Sequence, residues 1–472
     1  MIDKKEKFGI SIVLKSGIWF TVCNILTKSI GFITTPIFTR LLTKSDFGEY
    51  NNFITWAGVI VLITSLNLEA SLVRARFDFD DDFDGYVASM SILSFLSTVV
   101  CLCIMLLFRA SIQELLSLNK QELLAMLLYL LFYPVIQLFQ TKERFQYRYK
   151  TTVIVTLLTV ASTAFLSVAL VVVMENKLYG RIIGTVLPII VIGAILWIII
   201  LKNTNTIKMS YWRYALPYAL PFIPHLLSMY LLGSMDKVMI RHMCGSEDLA
   251  MYSLAYTVGT ILSLLISSMN NAYVPWLGDN LREKNYSSIR KISENYIGFF
   301  ILFAMVMVIM TPEVLLLLGG TDYIKAKYVI PQVFAGCIMQ FIYSMYVNIE
   351  QYEKRTVGMA MASIIAAVFN FITNFIFIKK YGYIAASYTT FFSYFLLMIL
   401  HIRLVKKIGF GDVYNTKKIL IISLFGGGVL ISMNCLFDYT FVRYLIFLMM
   451  ISFVFIFLFL KRQHIMDYIR RR

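Results

Sequence analysis

The chain has 472 residues, 59% of them hydrophobic and 15% charged, with a mean hydropathy of +0.74 and a net charge of +16. Soluble domains carry roughly 45–50% apolar and about 25% charged residues, and 24 glycines with 9 prolines are too few for a disordered chain. That excludes soluble enzymes, nucleic-acid-binding modules and secreted disulfide scaffolds, and leaves an all-α integral membrane protein.

A crossing needs about 20 mostly apolar residues, and the hydrophobic content suffices for about 14 of them. Apolar runs of that length fall at Ser16–Phe38, Phe47–Val73, Tyr86–Phe108, Gln121–Thr141, Thr151–Met174 and Gly180–Leu201. They continue at Leu216–Ile240, Leu249–Leu277, Ile292–Leu318, Tyr328–Ile349, Val357–Ile378, Gly382–Leu404, Ile419–Leu436 and Phe441–Leu460. Backbone polar groups in lipid must be satisfied within their own segment, and these runs are too long and continuous for barrel strands, so each reads as a helix. Met1–Lys15 is charged and enters a full-length run with no small-residue cleavage site, so the first helix is expected to be its own insertion signal. With the N-terminus inside, 29 of the 43 Lys and Arg residues lie on the inner side against 11 outside, which places both termini in the cytoplasm. The six cysteines, Cys23, Cys101, Cys103, Cys244, Cys337 and Cys435, have no repeated spacing and read as small buried hydrophobes.

An internal repeat emerges from three matches in the same chain order. Gln146-Tyr147 followed by Lys150-Thr151 returns as Gln351-Tyr352 and Arg355-Thr356, an offset of 205 residues. Tyr179-Gly180 returns as Tyr381-Gly382 at 202, and the stretch from Arg40 through Asp46 to Tyr50 returns from Arg241 through Asp248 to Tyr252 at 201–202. The unit is six spans. Six is even, so span 7 enters the membrane in the same direction as span 1, giving two parallel six-helix lobes about an axis along the membrane normal. The expected division is residues 1–205, residues 206–406, and residues 407–472 for two appended helices and a basic cytoplasmic tail.

The string Leu41-Leu42-Thr43-Lys44-Ser45-Asp46-Phe47-Gly48-Glu49-Tyr50 resembles the turn between the first two spans of polysaccharide flippases, and Leu68-Glu69-Ala70-Ser71-Leu72-Val73-Arg74 resembles their pattern at the end of span 2. With the repeat, these features are similar to the multidrug/oligosaccharidyl-lipid/polysaccharide (MOP) exporter superfamily, specifically its Wzx-type flippases. The resemblance implies a MATE-like fold and movement of an undecaprenyl-pyrophosphate-linked oligosaccharide, for O-antigen, capsule or exopolysaccharide, from the inner to the outer leaflet by alternating access. It further implies a bacterial cytoplasmic membrane, a monomer in contact with membrane lipid and other polysaccharide-assembly membrane proteins, and no nucleic-acid partner. Fourteen spans also resemble the lipid II flippase branch, whose last two helices are associated with the lipid tail.

Lys28 is the most informative candidate, because a lysine near the centre of a span costs about 2.5 kcal/mol or more. Thr21, Asn24, Lys28, Gly31 and Thr35 follow helical spacings and share one face. A cation there suits a pyrophosphate; pairing with a carboxylate or snorkelling to an interface is the plainer alternative. On span 2, Thr64, Asn67, Ser71 and Arg74 make a second polar face, and the resemblance assigns the arginine to the cavity. Glu69, deeper in that helix, needs a partner such as Lys28 or a proton. Span 7 carries Pro217, Pro221 and Pro224, which predict a kinked or broken helix suited to a hinge. His225 follows, either as a packing residue or a coupling group, and Asp236 with Lys237 or Arg241 is expected at the outer interface, as an ion pair or gate. Ser267, Ser268, Asn270 and Asn271 in span 8 suit either sugar hydroxyls or interhelical contacts.

Asp80, Asp82, Asp84 and Gly85 mimic the start of an EF-hand loop, but its twelfth position is Ser91, so the segment reads as an acidic loop that salt-bridges to basic neighbours, not as a metal site. No P-loop, hydrolase or zinc motif is present, and no cofactor is expected. Two further readings remain: a multidrug or cation antiporter of the same fold, and a membrane-embedded polysaccharide polymerase or glycosyltransferase.

Overall fold

The computed structural model describes residues 23, 25–27, 29–146, 148–202, 204, 207–353 and 355–460. Among the described residues there is no strand. The helices are residues 29–41, Lys44–Thr64, Leu72–Asp78, Phe83–Leu107, Arg109–Leu116, Lys120–Phe145, Tyr149–Val173, Lys177–Lys202, Met209–Ala219 and Ile223–Met243. They continue as Ser246–Arg282, Tyr286–Ile309, Thr311–Gly319, Ile330–Tyr352, Thr356–Tyr381, Tyr383–Lys407, Thr416–Ser432 and Thr440–Leu460. Ten of the helical stretches are long and apolar enough to cross a membrane, and an eleventh forms if the bent pair Lys44–Thr64 and Leu68–Asp78 is one span. The other predicted spans meet the helix at 29–41, the broken pair Met209–Ala219 and Ile223–Met243, and Thr440–Leu460. The protein is a multi-pass helical membrane protein.

Local chemistry explains several of the boundaries. Thr43 caps the Lys44–Thr64 helix by accepting from the Asp46 N–H at 3.1 Å. Asn119 and Glu122 form a reciprocal capping box that starts Lys120–Phe145. The second predicted span departs from a regular helix. Leu66 and Asn67 take left-handed backbone angles, φ 51° and 49°, and a 3-10 turn at Leu68–Ser71 leads into a segment bent by 50°. Asn67 is thus at the break, and Thr64, Asn67, Ser71 and Arg74 do not continue one helical face. The proline-rich seventh span breaks as expected, with a 3-10 turn at Leu220–Phe222 between its two arms.

Two compact units divide the chain: Met1–Thr260 with Val357–Ser393, and Ile261–Thr356 with Tyr394–Arg472. In the first unit, helices Tyr149–Val173 and Lys177–Lys202 approach so closely that a Cβ at Gly184 would lie 2.3 Å from Ser167 Cα, and one at Gly180 would lie 2.7 Å from the Leu170 carbonyl oxygen. Gly180-x-x-x-Gly184 is therefore a small-residue seam of the kind that packs helices in lipid, where apolar burial offers little drive. Ser45 and Ser246, exactly one repeat offset apart, are joined by a 2.9 Å hydroxyl hydrogen bond, a contact that a local two-fold axis produces. The acidic segment is bound to basic and phenolic groups: Asp82 to Lys208 at 2.8 Å and to the Tyr211 hydroxyl at 2.7 Å, and Asp84 to Lys142 at 2.7 Å. No group of side chains suited to a metal ion occurs among the described residues.

In the second unit, polar pairs tie the last two helices to their neighbours. Arg443, a cation inside the fourteenth span, is buried and clasps Glu313 through both terminal nitrogens, at 2.5 and 2.6 Å, and donates to the Ile309 carbonyl. Lys327 pairs with Asp438 at 2.7 Å and Lys418 with Glu294 at 2.5 Å.

Candidate functional site

A cavity of about 440 Å³ opens within the first unit, lined from four helical segments. The Lys120–Phe145 helix supplies Tyr133, Gln137, Gln140, Thr141 and Arg144, whose spacings of 4, 3, 1 and 3 put them along one face. Thr152, Thr156 and Thr159 do the same on Tyr149–Val173, while Thr27 belongs to the first helix and Glu69 to the 3-10 turn beyond the break. The break in span 2 is what brings Glu69 to this wall.

The lining offers polar atoms that the protein leaves unsatisfied. Gln140 donates to the Thr156 hydroxyl at 3.1 Å, but Gln137 Oε1 and Thr152 Oγ1 are buried without partners among the described residues. Unmet buried acceptors and hydroxyls cost about 1–3 kcal/mol each, and a ligand bearing hydroxyls relieves that cost. Arg144 and Glu69 put one cation and one carboxylate on the same cavity without closing an ion pair on each other. The arrangement can bind a polar, hydroxylated, anionic molecule.

The sequence-derived candidates fall in several places. Thr21, Asn24 and Lys28 lie outside the described residues. Thr35 is buried and donates back to the Gly31 carbonyl at 2.8 Å. Asn67 is buried at the break, and its N–H donates to Ser65 Oγ at 3.2 Å. Arg74 is 70% exposed and paired with Asp78 at 3.2 Å, so among the described residues the cation on the cavity wall is Arg144. Asn270 accepts from Asn348 Nδ2 at 2.8 Å, an interhelical contact in the second unit. Pro217 lies in the shorter arm of the broken span, Pro221 in its 3-10 turn and Pro224 at the start of the longer arm. The His225 side chain lies outside the described set.

Asp236 corrects an expectation. It does not pair with Arg241; it is fully buried and accepts hydrogen bonds from the hydroxyls of Tyr252 and Tyr256 and from the Lys237 backbone N–H at 2.8 Å. Lys237 places its ammonium 5.3 Å from the centre of the Tyr256 ring. Arg241 turns instead to Glu49, at 2.6 Å.

Sequence reasoning missed Gln137, Gln140 and Arg144, although their helical spacing was readable. Arg144 had been counted among loop cations marking the inner side. It also missed a buried pair in the second unit, where His401 Nδ1 and Glu350 Oε1 are 2.8 Å apart and Tyr343 stacks on the imidazole. Those partners are 51 residues apart and share no local pattern.

Comparison with known proteins gives concordant results. The sequence profile of a family described as polysaccharide biosynthesis protein matches residues 13–281, and that of the MatE family matches residues 221–376. Protein 1 of the Lsg locus of Haemophilus influenzae is 22% identical over 376 residues, spanning 75% of this chain and 89% of that protein. Among solved structures, the lipid II flippase MurJ in an inward closed conformation superposes with a TM-score of 0.75 at 14% identity, covering 95% of this chain and 100% of that one. An inward-facing multidrug resistance MATE transporter of the MOP superfamily gives 0.61 at 15% identity, covering 84% and 95%. At these identities the structural likeness establishes the fold.

Proposed function

The chain belongs to the polysaccharide biosynthesis protein family, within the MOP superfamily, and from that premise we propose that it is a flippase for a polyprenyl-pyrophosphate-linked oligosaccharide. The observation that carries the reading is the cavity holding Arg144, Glu69, and Gln137 Oε1 and Thr152 Oγ1, which have no partner among the described residues. Sugars offer hydroxyls to amides and threonines, and a pyrophosphate offers anionic oxygens to a guanidinium. The long polyprenyl tail stays in lipid, against the last two helices. Lys28, Asn24 and Thr21, which share one helical face by their spacing in the sequence, are further candidates for contact with the substrate.

In this reading the protein is not an enzyme, works as a monomer in a bacterial cytoplasmic membrane, and keeps both termini in the cytoplasm. Its six-helix lobes, residues 1–205 and 206–406, rock about the break at Pro217, Pro221 and Pro224. Alternating access by rigid lobes around a fixed site suits duplicated bundles. Buried Asp236 and cavity-lining Glu69 are the candidate carboxylates for ion coupling.

The test is transport in proteoliposomes with an undecaprenyl-pyrophosphate-linked oligosaccharide. Wild type moves the lipid, Lys28→Ala and Arg144→Ala slow it roughly tenfold or more, as loss of a charge-assisted contact predicts, and Lys28→Arg retains part of the rate. A folded wild type that moves no lipid-linked glycan sinks the proposal. A second reading, cation antiport, draws support from the MatE match and from buried Asp236. Extrusion of organic cations by the same vesicles would put it first.

A further inference from the structure

A second cavity of about 290 Å³ lies in the first unit and shares Thr27 with the first. Its walls include Thr35, Phe38, Tyr50, Asn51 and Arg181. Arg181 stands out because no carboxylate pairs with it among the described residues, and its Nε is buried without an acceptor. Two rings compensate in part: Phe38 and Tyr50 have their centres 3.4 and 4.3 Å from the guanidinium carbon. Cation–π contacts stabilise a guanidinium through its flat faces, by about 0.5–2 kcal/mol each, and leave its N–H donors, which lie in the plane, for another partner.

The arginine is held in place. Tyr50 is fixed by a 3.1 Å hydrogen bond between its hydroxyl and that of Thr185, one turn beyond Arg181. The glycine seam on either side of Arg181, Gly180 and Gly184, locks that turn against the Tyr149–Val173 helix. The threonine hydroxyls around the cavity now donate to carbonyls of their own helices, as Thr35 does to Gly31, and a hydroxyl can rotate toward a ligand. A merely structural arginine in a membrane protein finds a carboxylate or reaches water; this one lines a cavity and, among the described residues, meets no carboxylate.

Chain connectivity places the two cavities toward opposite membrane surfaces. Arg144 ends one helix and Arg181 begins the next but one, with the 25-residue Tyr149–Val173 crossing between them. At 1.5 Å per residue that crossing spans roughly 37 Å. By the Lys and Arg distribution, the Arg144 end is cytoplasmic and the Arg181 end is outer.

We propose that Arg181, braced by Phe38 and Tyr50, is an anion-binding site for a phosphate or diphosphate ester, the station at which the substrate's anionic group arrives on the outer side. The arrival rests on the flippase reading; the anion binding does not. Thr27, common to both cavities, marks the route between the Arg144 and Arg181 stations along the first helix.

Full-length protein in phosphatidylcholine nanodiscs is titrated calorimetrically with inorganic pyrophosphate and with geranyl pyrophosphate, and separately reconstituted with phosphatidylglycerol as a competing headgroup. Wild type binds both pyrophosphates, and in an Arg144→Gln background, which removes the other station, Arg181→Gln weakens both about tenfold or more. Arg181→Lys, which keeps charge without the planar fork, falls between them and decides the matter if the glutamine variant does not fold. Binding by a folded Arg181→Gln or Arg181→Lys variant that equals its Arg144→Gln parent overturns the site. Competition by phosphatidylglycerol at equal strength overturns the substrate assignment and makes the site one for bulk lipid headgroups. Arg181-dependent pyrophosphate binding by a protein that flips no lipid-linked glycan upholds the site and removes the flippase reading. Normal flipping and normal binding by Arg181→Gln does the reverse.

Discussion

Replacing Gly184 by alanine tests whether the close seam in the first unit is what the structure makes it. The new Cβ would stand 2.3 Å from Ser167 Cα, 2.6 Å from Ser167 N and 2.8 Å from Ser167 Oγ. Ordinary contact begins at 3.4 Å, so the helices must separate by about 1 Å, and the nearest atoms are backbone that cannot turn aside. Overpacking of this kind costs about 1–3 kcal/mol. Against it stands the gain of alanine over glycine inside a helix, about 1 kcal/mol, so the net expectation is a loss of about 1 kcal/mol or somewhat more. Gly298, also inside a helix, has nothing within 4 Å of its would-be Cβ and serves as the control. Gly298→Ala should stabilise by about 0.5–1 kcal/mol. Equilibrium unfolding in mixed micelles of SDS and a mild detergent, followed by tryptophan fluorescence, reads both variants on one scale. Equal or greater stability for Gly184→Ala, with Gly298→Ala behaving as expected, would refute the seam.

Other consequences are accessible to the same assay. Arg443→Ala, which strips a clasp on Glu313 from a buried position, should cost about 3 kcal/mol, and a double-mutant cycle with Glu313→Ala should return a coupling of at least about 1 kcal/mol; additive losses would mean that the pair acts independently. Asp438, outside the spans, is held below the usual carboxylate range by its hydrogen bond and charge interaction with Lys327. A depressed carboxylate stabilises the fold above its ordinary value of about 3.9, and that contribution is lost as pH falls through the folded value. The stability gap between wild type and Asp438→Asn should therefore be constant near neutral pH and close on acidification below about pH 4; a gap that widens there contradicts the pairing. Pro221→Ala restores a backbone donor at the 3-10 break. It should slow transport with little effect on pyrophosphate binding, and unaltered transport would remove the hinge role.

Much of this protein was legible in residue order. Apolar runs of crossing length are local facts, because each helix in lipid must satisfy its own backbone, and the predicted spans all meet helices. The break at Pro221 and the pairing of the acidic segment with basic groups were readable in the same way. The polar face of the first helix was also legible in part, since Thr35, one of its predicted members, lines the second cavity.

Other features belong to the tertiary structure. Left-handed angles at Leu66 and Asn67 swing Glu69 to a cavity wall, and no spacing rule foretells a bend made by two non-glycine residues. Asp236 seemed suited to Arg241 because they are neighbours along the helix. Packing instead buries it against Tyr252 and Tyr256 and gives Arg241 to Glu49, 192 residues away. Arg144 and Arg181 carry the lesson furthest. In a count of charges each is one more loop cation, since a sequence shows how near a charge is to the end of a span but not what faces it. Sequence determined the helices, because those follow from contacts within a few residues. Tertiary structure alone decided which cations line a cavity, because that depends on helices brought together from distant parts of the chain.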